Sequence, residues 1–243
     1  PSDVLLEAAD GFARIADLQA GRSRASLGDP AGALENLERA DQIAARLQKA
    51  DPANQGTLAL RARVAIHHAA IAMNSRQELD RATDLLAQAS KYIAAIPAQS
   101  RAAKLLTIQY EMESAILGNW KGSYAEGQSH ARKGIAIAEA LPPDPADARE
   151  AQYLLARIYD ALAEAVYYGV GAAESEPVYK RLVAITSTYL TAHPDDALAQ
   201  RLAIEAHWGL GATLLGVNRP KDGLREMQAA AALVPTLLQY QPE

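Results

Sequence analysis

The chain has 243 residues, a net charge of −5 and a pI near 5.6, so neither its overall charge nor any Lys/Arg run attracts phosphate, and nucleic acid is not an expected ligand. Cysteine is absent, which excludes disulfides, thiolate metal sites and a cysteine nucleophile. No apolar run approaches the roughly 18 residues needed to span a bilayer, and Pro1-Ser2-Asp3 carries no basic-then-apolar leader pattern. Hydrophobic residues make up 49% but aromatics only 5%, so an all-β fold is disfavoured and the core is expected to consist of closely approaching, alanine-rich helices. The chain lacks an initiator methionine, which predicts a processed protein or a piece of a longer one and leaves the compartment open.

In chain order, the first element is a helix through Leu5, Ala8, Phe12, Ile15 and Leu18, predicted to run to Leu27-Gly28, where glycine can take a left-handed cap. Asp29-Pro30 starts a second helix with Ala33, Leu34, Leu37, Ala40, Ile43, Ala44 and Leu47 as its apolar stripe. Proline then returns at Pro52, Pro97, Pro145, Pro194 and Pro235, with gaps of 45, 48, 49 and 41 residues. Small or acidic residues flank most of these prolines, which predicts that each of the first four occupies the first turn of a new helix. A period in the forties filled by two helices describes a helical solenoid, an architecture that presents a surface.

Five hairpins are expected, at about 2–51, 52–96, 97–143, 144–193 and 194–235, in one domain over 1–243, with 236–243 as a short C-terminal cover. Hairpin two pairs Ile66, Ala69, Ala70 and Met73 with Ala82, Leu86 and Ala89. In hairpin three, Gly127, Ala131 and Gly134 fit more than one frame, so its register stays open. Hairpin four pairs Tyr159, Leu162, Ala163 and Val166 with Val178, Leu182 and Ile185. In hairpin five, His207, Leu210, Gly211 and Leu214 precede Gly223, Met227, Ala230 and Pro235.

The stretch Leu27-Gly28-Asp29-Pro30-Ala31-Gly32-Ala33-Leu34 through Ala40, closed by Pro52, resembles a tetratricopeptide (TPR) repeat, and hairpin five resembles it independently. The implied fold is an all-α, TPR-like α-solenoid of about five antiparallel helix pairs with lengthened second helices, since Ala40 to Pro52 is longer than the standard unit allows. Lengthened units with this phrase resemble the TPR regions C-terminal to bacterial serine/threonine protein kinases and those of some multidomain transcriptional regulators. The resemblance therefore implies a regulatory part of a signalling protein, cytoplasmic or, on a membrane-spanning kinase, extracytoplasmic.

No catalytic motif competes with this reading. Val64-Ala65-Ile66-His67 imitates the strand that bears a kinase's ATP lysine, but histidine replaces lysine, the pattern is helical, and no His-Arg-Asp or Asp-Phe-Gly follows. Gly169-Val170-Gly171 lacks the third glycine and the strand of a dinucleotide site and reads as a helix-to-helix turn. His67, His68, His130, His193 and His207 form no metal-spaced pair, and Glu111-Met112-Glu113 turns its acids in different directions. No cofactor is implied.

What remains is surface. Transferring the family's groove positions gives Arg22, His67, Asn74, Arg157, Asp160, Glu164, Tyr167, Glu205 and Trp208 as the expected binding set. Tyr167 and Trp208 are the anchor candidates. Trp208 and Tyr159 also have a structural reading as wedges between hairpins, and Trp120 as a cover for a helix end. Three acids against one arginine make this end of the groove negative, which favours a basic, partly apolar protein or peptide segment. The alternative is a small-molecule sensor whose pocket between hairpins four and five is walled by Tyr159, Tyr167, Tyr168 and Trp208. An uncovered C-terminal end at Leu237 and Leu238 would favour weak self-association.

Overall fold

The computed structural model describes residues 2–20 and 27–238. Among them are ten helices, α1 (Ser2–Ala20), α2 (Pro30–Ala50), α3 (Gln55–Arg76), α4 (Leu79–Ala94), α5 (Arg101–Trp120), α6 (Tyr124–Glu139), α7 (Ala148–Gly169), α8 (Ala172–Ala192), α9 (Ala197–Gly216) and α10 (Pro220–Leu238), and no strand. α1 packs with α2, α3 with α4, α7 with α8 and α9 with α10, and Gly118 of α5 meets Gly127 of α6. The chain divides into two compact units, Pro1–Leu117 and Gly118–Glu243.

One frame recurs in every second helix. Its fourth residue is small and buried: Ala33, Ala82, Gly127, Ser175 and Gly223. Four positions on stand Leu37, Leu86, Ala131, Tyr179 and Met227, and three further on Ala40, Ala89, Gly134, Leu182 and Ala230; all are buried except the half-buried Met227. These steps put the three residues on one helical face. The small residue lets the two backbones of a pair approach. A Cβ on Gly118 would lie 2.9 Å from the Gly127 nitrogen, and one on Gly211 would lie 3.1 Å from the Gly223 carbonyl oxygen. In the fourth pair the Ser175 hydroxyl donates to the Ala163 carbonyl at 2.9 Å. The frame also fixes the register of hairpin three, which the sequence leaves open: Gly127, Ala131 and Gly134 all face inward.

The prolines mark helix starts from one turn further out than expected. Pro52, Pro97, Pro145 and Pro194 stand in the preceding turns, and after Pro52, Pro97 and Pro194 a polar side chain does the capping. Asn54 Oδ1 accepts from Thr57 N–H at 2.9 Å, Ser100 Oγ from Ala103 N–H at 3.2 Å, and Asp196 Oδ1 from Leu198 N–H at 2.8 Å. Pro30 and Pro220 are the prolines that open helices as first residues. Pro235 lies inside α10, so the last helix continues past the predicted hairpin end to Leu238.

Three further expectations change. α1 is described over Ser2–Ala20, and Leu27 N–H bonds back to the Leu18 carbonyl at 3.1 Å, so Leu27-Gly28 does not continue that helix; Gly28 is left-handed at φ 69° in the approach to α2. The buried face of α1 is Ala9, Ala13 and Ala16, turned by about 100° from the expected stripe, which leaves Leu5, Ile15 and Leu18 exposed. These alanines pack on Ala33, Leu37, Ala40 and Ala44 of α2 and on Leu60, Val64 and Ile71 of α3. Close approach selects methyl groups over the larger side chains that hydropathy favours. Length is not a property of the second helices alone either: α2 and α8 have 21 residues, but α4 and α6 have 16 against 22 and 20 in α3 and α5.

Candidate functional site

The second unit gathers six of the nine residues in the expected binding set on α7 and α9, two first helices that touch. Arg157 spans them: its Nη1 donates to Asp160 Oδ2 and to Glu205 Oε2, both at 3.0 Å. Arg201, which the sequence frame missed although it lies one turn before Glu205, reaches Glu205 at 4.0 Å. The Asp160 side chain is 22% exposed. Burial pushes its carboxyl up to about 6, Arg157 opposes that rise, and Glu164 and Glu205 add to it. At neutral pH the patch thus sets three acids against two arginines, and only below about pH 6 does a proton on Asp160 bring the two into balance.

Trp208 is 63% exposed on α9 and is no wedge. That place belongs to Tyr179, which is buried with its ring against Gly209, where a Cβ would clash with it. Burial and the neighbouring Asp160 and Glu164 raise the Tyr179 phenol above its ordinary range, so it stays neutral. Tyr167 is half-buried and meets Tyr168 edge-on at 5.1 Å.

The remaining aromatics turn elsewhere. Tyr168 stacks on Tyr124 of α6 at 5.9 Å, and the Tyr159 hydroxyl donates to Glu139 at the end of α6 at 2.8 Å. Tyr159, Tyr168 and Trp208 therefore do not wall one pocket between the fourth and fifth pairs. A cleft of about 310 Å³ opens instead between α1 and α3, lined by Asp3, Leu6, Glu7, Asp10, Gly56, Leu60 and Arg63. Trp120, expected as a helix-end cover, is the last residue of α5 and 45% exposed.

The other expected residues lie in the first unit or outside the described residues. Asn74 is exposed near the end of α3, and Arg22 lies outside the described residues. His67 is half-buried on α3; burial holds its pKa below the ordinary value against the pull of Asp17, so it is neutral near pH 7. Burial likewise lowers the His68 pKa from its ordinary value, so it is neutral near pH 7. His207 Nδ1 meets Glu226 at 2.8 Å, and the His193 ring packs on Tyr189 at 4.9 Å. Among the described residues no cluster of three His, Asp or Glu could hold a metal ion, and no helix is long and apolar enough to cross a membrane.

A structural clamp beside the patch also escaped the sequence frame. Arg149 on α7 donates to both oxygens of Asp196, at 2.8 and 2.9 Å, and the Tyr189 hydroxyl donates to the same carboxylate at 3.2 Å. The Arg149 bonds lead in holding Asp196 at about 2, helped by its cap to Leu198.

No protein-family profile and no curated protein matches the chain. Solved structures do. A kinesin light chain-like protein of Podosopora anserina, built of nearly identical TPR-like repeats, superposes with a TM-score of 0.56 at 17% identity over 99% of each chain. A point variant of the same protein superposes with a TM-score of 0.54 at 16% identity, covering 98% of this chain and 96% of that one. The protein therefore has an all-α, TPR-like α-solenoid fold.

Proposed function

We propose that the chain is a protein-interaction module whose α7/α9 surface takes a basic, partly apolar segment of another protein. The observation that carries this reading is an exposed Trp208 three residues after Glu205 on α9, with the Glu205 and Asp160 carboxylates held together by Arg157 and with Glu164 near Asp160. An exposed indole offers a large contact area at little conformational cost. The acids beside it give a cation an attractive site, and Arg157 holds two of them in place. The TPR-like fold supports a binding role because a helical repeat exposes side chains in rows rather than enclosing a reaction centre. The sequence resemblance extends the reading to a regulatory part of a larger signalling protein, such as one that carries a serine/threonine kinase.

The test is calorimetric titration with a short peptide alternating lysine and leucine, against the same peptide with glutamate in place of lysine. The lysine peptide should bind, weaken as salt rises, and lose at least about fivefold with Glu205→Gln and Glu164→Gln combined. Equal binding of both peptides, or none of either, would overturn the assignment.

A further inference from the structure

Building on the docking role of the α7/α9 surface, on which this inference rests, we propose that α7 carries an arginine site: a guanidinium of the docked segment lies on the Tyr168 ring and the Glu164 carboxylate takes its N–H groups. The two side chains are four residues apart on α7, so they share a face. Tyr168 is 65% exposed and Glu164 is half-buried. Arg157 engages Asp160 and Glu205, whereas Glu164 has no ion-pair partner among the described residues. A carboxylate without a counter-charge beside an open aromatic ring suits a cation with a flat face.

The Tyr168 ring is held in place without being covered. Tyr124 of α6 stacks on it at 5.9 Å with an interplanar angle of 25°, and Tyr167 meets it edge-on at 5.1 Å. Gly169 allows this stack, since a Cβ there would lie 2.6 Å from the Tyr124 Cβ and push that residue away. Tyr167 is seated in turn against α9, where a Cβ on Gly216 would lie 3.2 Å from its hydroxyl. Burial first, then Asp160, Glu164, Tyr168 and Tyr167, raise the Tyr179 phenol, which gathers the acids and the tyrosines around one buried hydroxyl. A ring fixed before binding loses little freedom when a cation settles on it.

The chain builds this arrangement once with an arginine of its own. In the first unit the Arg61 guanidinium lies 4.7 Å from the centre of the Tyr92 ring, while its Nε and Nη2 donate to the two Asp41 carboxylate oxygens at 3.0 and 3.3 Å. Ring, carboxylate and guanidinium there come from α4, α2 and α3. In the second unit Tyr168 and Glu164 supply the ring and the carboxylate, and the docked segment supplies the guanidinium. Arginine is favoured over lysine because its planar, weakly hydrated head stacks on the ring while its edge N–H groups fork onto a carboxylate; an ammonium is a strongly hydrated point charge.

The test repeats the calorimetric titration with the lysine and leucine peptide and adds the same peptide with arginine in place of lysine. Both are measured on wild type, Tyr168→Leu and Tyr168→Phe, with circular dichroism to verify that each variant is folded. Wild type should bind the arginine peptide at least about fivefold more tightly than the lysine peptide. Tyr168→Leu should erase that preference while changing the affinity for the lysine peptide by less than about twofold. Tyr168→Phe keeps the aromatic face and should retain the preference. Equal affinity of wild type for the two peptides, a preference that survives Tyr168→Leu, or one that Tyr168→Phe abolishes would each overturn the arginine site and leave the docking role standing, since the lysine peptide still binds. Binding of neither peptide to wild type would overturn both.

Discussion

Asp196 closes three interactions with one carboxylate: the cap on α9, the two-bonded contact with Arg149 and the Tyr189 hydroxyl bond. Asp196→Ala should lower stability by about 2–4 kcal/mol and Asp196→Asn, which keeps a capping oxygen, by about half as much, both read from chemical denaturation. The pH dependence follows from its folded value of about 2, below the ordinary 3.8. Its contribution is complete above about pH 4 and is lost as pH falls through about 2, roughly 1–2 kcal/mol after allowing for solvent screening. Asp160 has the opposite sign. Its folded value of about 6 lies above the ordinary 3.8, so the stability tied to its proton is present at low pH and lost as pH rises through about 6. Arg157 and Glu164 from α7, Glu205 from α9 and Tyr179 from α8 set that balance. Asp160→Asn should flatten the denaturation midpoint between pH 4 and 7, and a midpoint that still falls across that range would assign the dependence to another group. Individual residues are only partly legible in the sequence. Trp208 admits two roles there and the structure leaves it exposed, whereas the Arg149–Asp196 clamp joins residues far apart in sequence and has no local signal.

At the scale of the helix, the crossing points make sharp demands. Gly223 lies where two backbones nearly touch, so Gly223→Leu should destabilise by about 3 kcal/mol or more through overpacking that backbone cannot relieve. Leu224→Ser, on an exposed surface of α10, should change stability by less than about 0.5 kcal/mol. Comparable losses in the two variants would contradict the assigned frame. The pairs and their boundaries are readable because turns need proline, glycine and capping residues, which are local signals. The packed face of α1 is not. Leu5, Ile15 and Leu18 outweigh Ala9, Ala13 and Ala16 on any hydropathy scale, yet a close helix contact excludes them, and that exclusion is set by α2 and α3 rather than by α1 itself.

At the scale of the molecule, the ten helices of the described residues, the alanine-rich contacts and the TPR-like superposition agree on an all-α, TPR-like architecture. The central claim is that the α7/α9 row binds a basic, partly apolar segment through Trp208. The most direct measurement is the affinity of Trp208→Ala for the lysine/leucine peptide, taken together with its melting temperature. Because Trp208 is 63% exposed, the melting temperature should stay within about 2 °C of wild type, while binding weakens by about 1–3 kcal/mol. A melting temperature that collapses while affinity per folded molecule is unchanged would contradict the claim and return Trp208 to a purely structural role.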